Sequence, residues 1–297
     1  MTIGKVGVLG CGLMGSGIAQ VCAQAGHDTI VLEATEELLQ RGLDRIGKFL
    51  QGSVDRGKLK ASDRAAALSR LRGTVRAADM ADRDLVIEAV TEDLAAKQAL
   101  LGAVDAVCPP RTIFASNTSS LTIAQLAAAT RRPGRFIGLH FFNPVPLMNL
   151  VEMAPTFLTE EDAIAEAAAF VASLDKTLIR TTDRTGFIVN RLLVPYILDA
   201  VRALESGAGS IADIDRAMVL GCGHPMGPLA LLDLVGLDTT LSIAEVFFEE
   251  FREPRFAPPP LLKRMVLAGM CGRKTGRGFY DYGGTSPVPN DSLTRSA

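Results

Sequence analysis

The first 33 residues limit the fold of this chain more than any other stretch. Lys5-Val6-Gly7-Val8-Leu9 reads as a short buried strand that runs into Gly10-Cys11-Gly12-Leu13-Met14-Gly15, a G-x-G-x-x-G. Apolar residues at helical spacing follow (Ile18, Val21, Cys22, Ala25), with Gly26 as a helix end, then a second strand over Thr29-Ile30-Val31-Leu32 and an acid, Glu33. Strand, glycine loop, helix and strand make one βαβ unit. Gly10 permits the tight turn, Gly12 lets backbone approach a pyrophosphate, and Gly15 lets helix and strand pack closely. The helix start offers free N–H groups and positive dipole to phosphates. Glu33 lies 18 residues after Gly15, near the spacing at which an acid holds a ribose 2′-hydroxyl, and no arginine stands beside it. The unit therefore predicts dinucleotide binding by Gly10 to Gly15 and Glu33, with NAD favoured over NADP.

Alternation continues downstream. Strands are predicted near Thr74–Arg76, over Asp84–Val90, Thr112–Ser116, Arg135–Phe141, Leu150–Met153 and Thr177–Arg180. Helices are predicted between them, one opening at Thr91-Glu92 and one over Leu121–Ala129 capped by Asn117-Thr118-Ser119-Ser120. This pattern predicts an α/β fold with a Rossmann-type, doubly wound, mostly parallel sheet. Residues 36–72 read as a polar helical hairpin inserted into it. After Asp183-Arg184-Thr185-Gly186 the character changes to apolar helices with Gly/Pro punctuation and no strand alternation, including one long helix over 229–252. The expected organisation is a Rossmann-type domain over 1–184, a smaller all-α domain over 185–282 for substrate binding and dimerisation, and a disordered polar tail over 283–297. The apolar faces of the later helices predict a homodimer through that domain.

One segment carries ionisable groups where apolar ones are expected. His140 follows Phe136-Ile137-Gly138-Leu139, and Glu152 stands between Val151 and Met153. Such groups are costly in a core strand unless paired. Pro144-Val145-Pro146 lies midway, so a hairpin turning there would put 140 opposite 152. A carboxylate beside an imidazole fixes its tautomer and strengthens it as a base. The alternative is a satisfied core histidine with an unrelated edge glutamate. Position favours the first, because the glycine loop, Glu33, Glu92, Asn117–Ser119 and His140 all fall at predicted strand ends, where ligands of such sheets bind. The other two histidines fit less well: His27 lies in a turn and is expected to be exposed, and His224 lies in a Gly/Pro loop.

Composition narrows the partners. A formal net charge of −2 argues against a nucleic-acid binder, and no apolar run reaches membrane-spanning length. Five cysteines without a C-x-x-C pair fit reduced thiols, with neither a zinc site nor a disulfide scaffold. A strand about four residues in leaves no room for a leader, so the cytoplasm is expected. Lys48, Arg56, Lys58 and Lys60 surround Gly57, either as a solvated helical surface or as a patch for a phosphorylated substrate tail.

Together these residues resemble the L-3-hydroxyacyl-CoA dehydrogenase family, and within it the bacterial stand-alone 3-hydroxybutyryl-CoA dehydrogenases. The likeness rests on Gly10–Gly15, Ile87-Glu88-Ala89-Val90, Ala115–Leu121, the His140–Glu152 stretch, Gly186–Arg191, Gly223–Pro228 and Gly272–Tyr280, in family order over nearly the whole chain. It implies NAD-dependent interconversion of 3-hydroxyacyl-CoA and 3-oxoacyl-CoA, within fatty acid metabolism. It implies that His140 is the general acid/base, that Glu152 orients it, and that Ser119 and Asn190 hold the substrate oxygen. It implies cofactor contacts at Gly10, Cys11, Gly12, Leu13, Met14, Gly15, Glu33, Glu92, Lys97, Ser119, Asn143 and Lys274. It implies that Ser119, Lys48, Arg56 and Lys58 contact the CoA thioester. Glu33 stands where many members carry Asp, and Gly52 where relatives often carry a basic residue. Two other readings use the same scaffold: an L-gulonate 3-dehydrogenase-like enzyme acting on a free hydroxy acid, and a non-catalytic dinucleotide-binding protein.

Overall fold

Apolar strands that end in polar loops, joined by helices, assemble here into one eight-stranded sheet. The structure is a computed structural model describing residues 2–293. Two compact units divide between Phe187 and Ile188. In the first, β1 (Lys5–Leu9), β2 (Asp28–Leu32), β3 (Leu71–Thr74), β4 (Leu85–Glu88), β5 (Ile113–Ser116) and β6 (Phe136–Phe141) are parallel, in the order β3-β2-β1-β4-β5-β6. β7 (Leu150–Pro155) pairs antiparallel with β6, and β8 (Thr177–Arg180) pairs parallel with β7 at the edge. The central strands are buried along their length, which is why they read as continuous apolar runs without alternation. The third strand lies earlier than the Thr74–Arg76 prediction, because Leu71–Thr74 is the stretch in register with β2.

Helix α1 (Leu13–Gln24) follows the glycine loop, and α2 (Glu36–Asp55) and α3 (Ala61–Ser69) form the hairpin inserted before β3. Thr35 caps α2 by accepting from the Leu38 N–H. Helix α4 (Leu94–Asp105) is capped by Asp93, and α6 (Glu161–Ser173) connects β7 to β8. Helix α5 is only Ile123–Ala127, shorter than predicted, and Asn117–Ser120 do not cap it. Its first amides, Ile123 and Ala124, donate at 2.6 and 2.8 Å to the two oxygens of Asp183, 60 residues away in sequence. His27 is buried, not exposed: its ring lies tilted against Phe170 and its Nε2 lies 2.9 Å from the Ser173 hydroxyl.

The second unit is helical: α7 (Val189–Glu205), α8 (Ile211–Cys222), α9 (Pro228–Val235), α10 (Leu237–Phe251) and α11 (Pro260–Leu267). The single helix predicted over 229–252 is two. Gly236 separates them at φ +103°, a backbone conformation no side-chain-bearing residue adopts easily. Its core gathers Val194, Leu198, Leu229, Phe247 and Phe256. The segment predicted to be a disordered tail is docked as far as residue 293. Val288–Pro289 pairs antiparallel with Tyr280–Asp281, and the Asn290 amide donates to the Phe279 carbonyl at 2.8 Å. Residues 294–297 lie outside the described chain. Among the described residues, no helix is long and apolar enough to cross a membrane.

Candidate active site

The glycine loop joins β1 to α1 at the point where strand order reverses, β1 having β2 on one side and β4 on the other. Gly10 sits at φ +94°. A Cβ on Gly15 would stand 2.0 Å from the Gly10 carbonyl oxygen, so helix and loop touch there. A Cβ on Gly12 would meet nothing within 4 Å. The loop is therefore tight where it packs and open where a phosphate would approach. The first helical hydrogen bond runs from the Ser16 N–H to the Gly12 carbonyl, which leaves the amides of Leu13 and Met14 ahead of it without an intrahelical acceptor. Glu33, one residue past β2, accepts from the Cys11 amide at 2.7 Å and from the Ala34 amide at 2.8 Å. The next acids are Glu36 and Glu37 in the first turn of α2. This donor set fits NAD: amides for the pyrophosphate, a carboxylate for the ribose, and acids where a 2′-phosphate would be repelled.

Cys11 serves packing here. Burial, with Glu33 adding to it and Arg45 opposing, pushes its thiol up to about 11. It fills the gap under α2, where Gly42 passes so close that a Cβ would lie 2.2 Å from the Cys11 Sγ. Arg45, which sequence reasoning missed, reaches back from α2 to the Cys11 carbonyl at 3.2 Å.

His140 and Glu152 are register partners across the β6–β7 hairpin, so the pairing read from their spacing holds. The His140 Nδ1 lies 2.8 Å from the Glu152 Oε2. With a carboxylate accepting there, Nδ1 carries the proton and the Nε2 lone pair is the basic one. The residues are 6% and 1% exposed, and Phe142 and Phe187 flank the imidazole with ring centroids at 4.6 and 5.4 Å. Asn117, just past β5, accepts from the Phe141 amide at 2.8 Å and so ties the two strand ends beside His140. The turn is anchored as well. The Lys176 ammonium donates to the Val145 and Met148 carbonyls, and a Cβ on Gly17 of α1 would lie 2.9 Å from Val145. Asn143 is exposed at the start of this turn.

Ser119 follows β5 in a loop gripped by Glu92. One Glu92 oxygen accepts from the Ser119 amide at 3.0 Å, the Ser120 amide at 3.2 Å and the hydroxyls of Thr118 and Ser120. Burial pushes this carboxyl up. The Lys97 ammonium and the two hydroxyls overcome that and hold it below the usual carboxylate range. Lys97 itself is 1% exposed. Its ammonium contacts the Glu88 Oε1 at 2.6 Å, the Val90 carbonyl at 3.2 Å and the Glu92 Oε2 at 3.1 Å. Those three partners use its three donors, so this geometry gives a buried counter-ion and leaves no donor for a cofactor. Glu88 is the last residue of β4, which stops two residues short of the strand predicted over Asp84–Val90. Sequence reasoning missed it, although an acid within an apolar strand is the same anomaly that marked Glu152.

Glycine loop, Glu33, Glu92, Ser119, Asn143 and His140 thus share the carboxyl edge of one sheet. Lys48, Arg56 and Lys58 are exposed on the α2–α3 hairpin, without an acid paired to them among the described residues. Asn190 and Lys274 belong to the helical unit. Asn190 lies half-buried in the first turn of α7, and the Lys274 ammonium is paired with Asp238 at 2.6 Å.

Comparison with known proteins adds to this geometry. The family model for the NAD binding domain of 3-hydroxyacyl-CoA dehydrogenase matches residues 5–184, and the model for its C-terminal domain matches 186–282. A 3-hydroxybutyryl-CoA dehydrogenase of Mycobacterium tuberculosis is 51% identical over 94% of this chain and 99% of its own. One from Bradyrhizobium diazoefficiens is 46% identical over 97% and 98%. The crystal structure of a Ralstonia eutropha (S)-3-hydroxybutyryl-CoA dehydrogenase superposes with a TM-score of 0.92 at 43% identity, covering 95% of this chain and all of that one.

Proposed function

The chain belongs to the 3-hydroxyacyl-CoA dehydrogenase family, and from that footing we propose that it interconverts (3S)-3-hydroxyacyl-CoA and 3-oxoacyl-CoA with NAD, acting on short chains such as 3-hydroxybutyryl-CoA. The observation that carries the reading is the 2.8 Å contact between the His140 Nδ1 and the Glu152 Oε2, on the sheet edge that also holds the glycine loop and Ser119. NAD, when bound, supplies the hydride chemistry. The chain's own residues move the proton. His140 takes it at Nε2 from the 3-hydroxyl, or returns it in reduction, and Glu152 stabilises the imidazolium that results. Ser119 donates to the same substrate oxygen and stabilises the charge developing there. Glu33 and the amides after Gly12 hold the cofactor, joined by Glu92 and Asn143. Asn190, as a second holder of the substrate oxygen, and Lys274, as a cofactor contact, rest on the family likeness.

Lys48, Arg56 and Lys58 are proposed to grip the CoA phosphates, which would give the thioester preference over a free hydroxy acid. Support for this is their exposure on one helical hairpin with no acid paired to them among the described residues. Following NADH oxidation with acetoacetyl-CoA, longer 3-oxoacyl-CoAs and free 3-oxoacids in parallel tests the whole reading. Turnover should be fastest with acetoacetyl-CoA; equal or faster turnover of the free acid would return the L-gulonate-type alternative. We further propose a cytoplasmic homodimer joined through the helical unit, serving fatty acid metabolism. Exposed Leu192, Leu220 and Leu267 support the dimer. Light scattering should give twice the 31.5 kDa chain mass.

A further inference from the structure

We propose that the buried Glu88–Lys97–Glu92 network sets how strongly the site favours oxidised over reduced cofactor, with Glu88 as a positioning residue that touches neither cofactor nor substrate. Glu88 has no solvent exposure. It pairs in register with Leu9, the residue before the glycine loop, on one side and with Ser116 on the other. Its Oε1 accepts from the Val90 amide at 2.7 Å and from Lys97 at 2.6 Å, and its Oε2 accepts from the Ser116 hydroxyl at 2.5 Å. Lys97 passes this on to Glu92, whose other oxygen holds the Ser119 loop.

The network contains two carboxylates and one ammonium, so it carries one net negative charge at the strand-order reversal. Ligands of such sheets cross that crevice. A dinucleotide there changes charge with its redox state, because the oxidised nicotinamide ring is cationic and the reduced ring neutral. An anion fixed in a partly desolvated wall interacts with the first form and hardly with the second. Glu88 has a specific job in this. Without it, Lys97 would neutralise Glu92, and the network would carry no net charge.

The inference rests on the proposed reading of Ser119 and His140 as flanking the reacting atoms. The test is the ratio of dissociation constants for NAD⁺ and NADH, measured by calorimetry and by NADH fluorescence on the full chain. Glu88→Gln should weaken NAD⁺ relative to NADH by about tenfold. Glu88→Gln combined with Lys97→Met restores one net negative charge through Glu92 alone. That double variant should bring the ratio back to within about twofold of the parent, even where both affinities fall. Ser116→Ala removes a hydrogen bond and no charge, and should leave the ratio alone. Should Glu88→Gln not fold, Glu92→Gln removes the same unit of charge and should shift the ratio the same way. A purely structural role would lower both affinities together at constant ratio in every variant, and that result overturns the proposal while leaving the dehydrogenase reading intact. An unaltered chain that bound neither nucleotide would instead sink that reading.

Discussion

Both units bury carboxylates, and they do so to different ends. In the sheet unit Glu152 is bonded to an imidazole whose other nitrogen remains open to a proton. In the helical unit Asp215 accepts from the Leu229 and Ala230 amides at 2.7 and 2.9 Å and from the Tyr280 hydroxyl at 2.8 Å. Asp233 accepts from the Phe279 and Tyr280 amides, both at 2.9 Å, and from the Tyr282 hydroxyl at 3.0 Å. Those aspartates clasp the residue 279–282 segment onto α8 and α9, with partners that have no chemistry left over. Burial and negative charge push the Tyr282 hydroxyl up to about 12, so it stays a donor. A buried acid therefore marks a reactive site only when its partner keeps a free valence.

The largest effect that could break this contrast is at His140. His140→Gln should lower turnover by about 10²–10⁴-fold while NADH binding stays nearly intact; turnover near the parent's would remove the base from the sheet edge. Glu152→Gln should cost about a hundredfold in turnover, and a loss of only a few fold would mean that the pair is structural, like the aspartates. Asp233→Asn should do the reverse. Urea unfolding should show a loss of about 2–4 kcal/mol, with NADH affinity per folded molecule unchanged. Replacing Lys48 and Arg56 together with Ala probes charge that has no ion-pair partner among the described residues. The KM for acetoacetyl-CoA should rise about tenfold with kcat little changed, and a constant KM would make that surface a solvated one.

The smallest effect is a difference of sign with pH. Glu92 is held below its usual range, so its contribution to stability is present above about 4.5 and is lost as pH falls through the lower folded value. Burial raises the Asp233 carboxyl, partly opposed by its amide donors. Its folded form takes up a proton more readily than the unfolded chain, so it favours folding increasingly as pH falls through the raised value, levelling off below about 3.8. Melting curves across this acid range should separate the two variants from the parent in opposite directions, Glu92→Gln blunting the acid loss and Asp233→Asn removing the gain, each by about 2 °C. Shifts of the same sign would end the distinction.

What the chain reveals by inspection follows from distance along it. The glycine loop is legible because its physics is local, and the His140–Glu152 pairing because a hairpin makes partner numbers sum to a constant. Asp183 holding α5 and Phe187 against His140 left no periodic trace, since each joins segments that only the fold brings together. The tail misled for a related reason. Residues 283–293 are polar and Gly/Pro-rich, yet backbone pairing and the Asn290 amide hold them regardless of hydropathy.

Gly17 carries a consequence for redesign. It lies in the first helix, two residues past the glycine motif, and no larger side chain fits there without lifting Val145. Anyone grafting the first helix of another dinucleotide enzyme onto this scaffold, to change its coenzyme, would import whatever that helix carries at this position. A bulkier residue would raise the turn bearing Asn143 and strain the strand that carries His140. Coenzyme choice and proton transfer are therefore not separate modules to be exchanged one at a time.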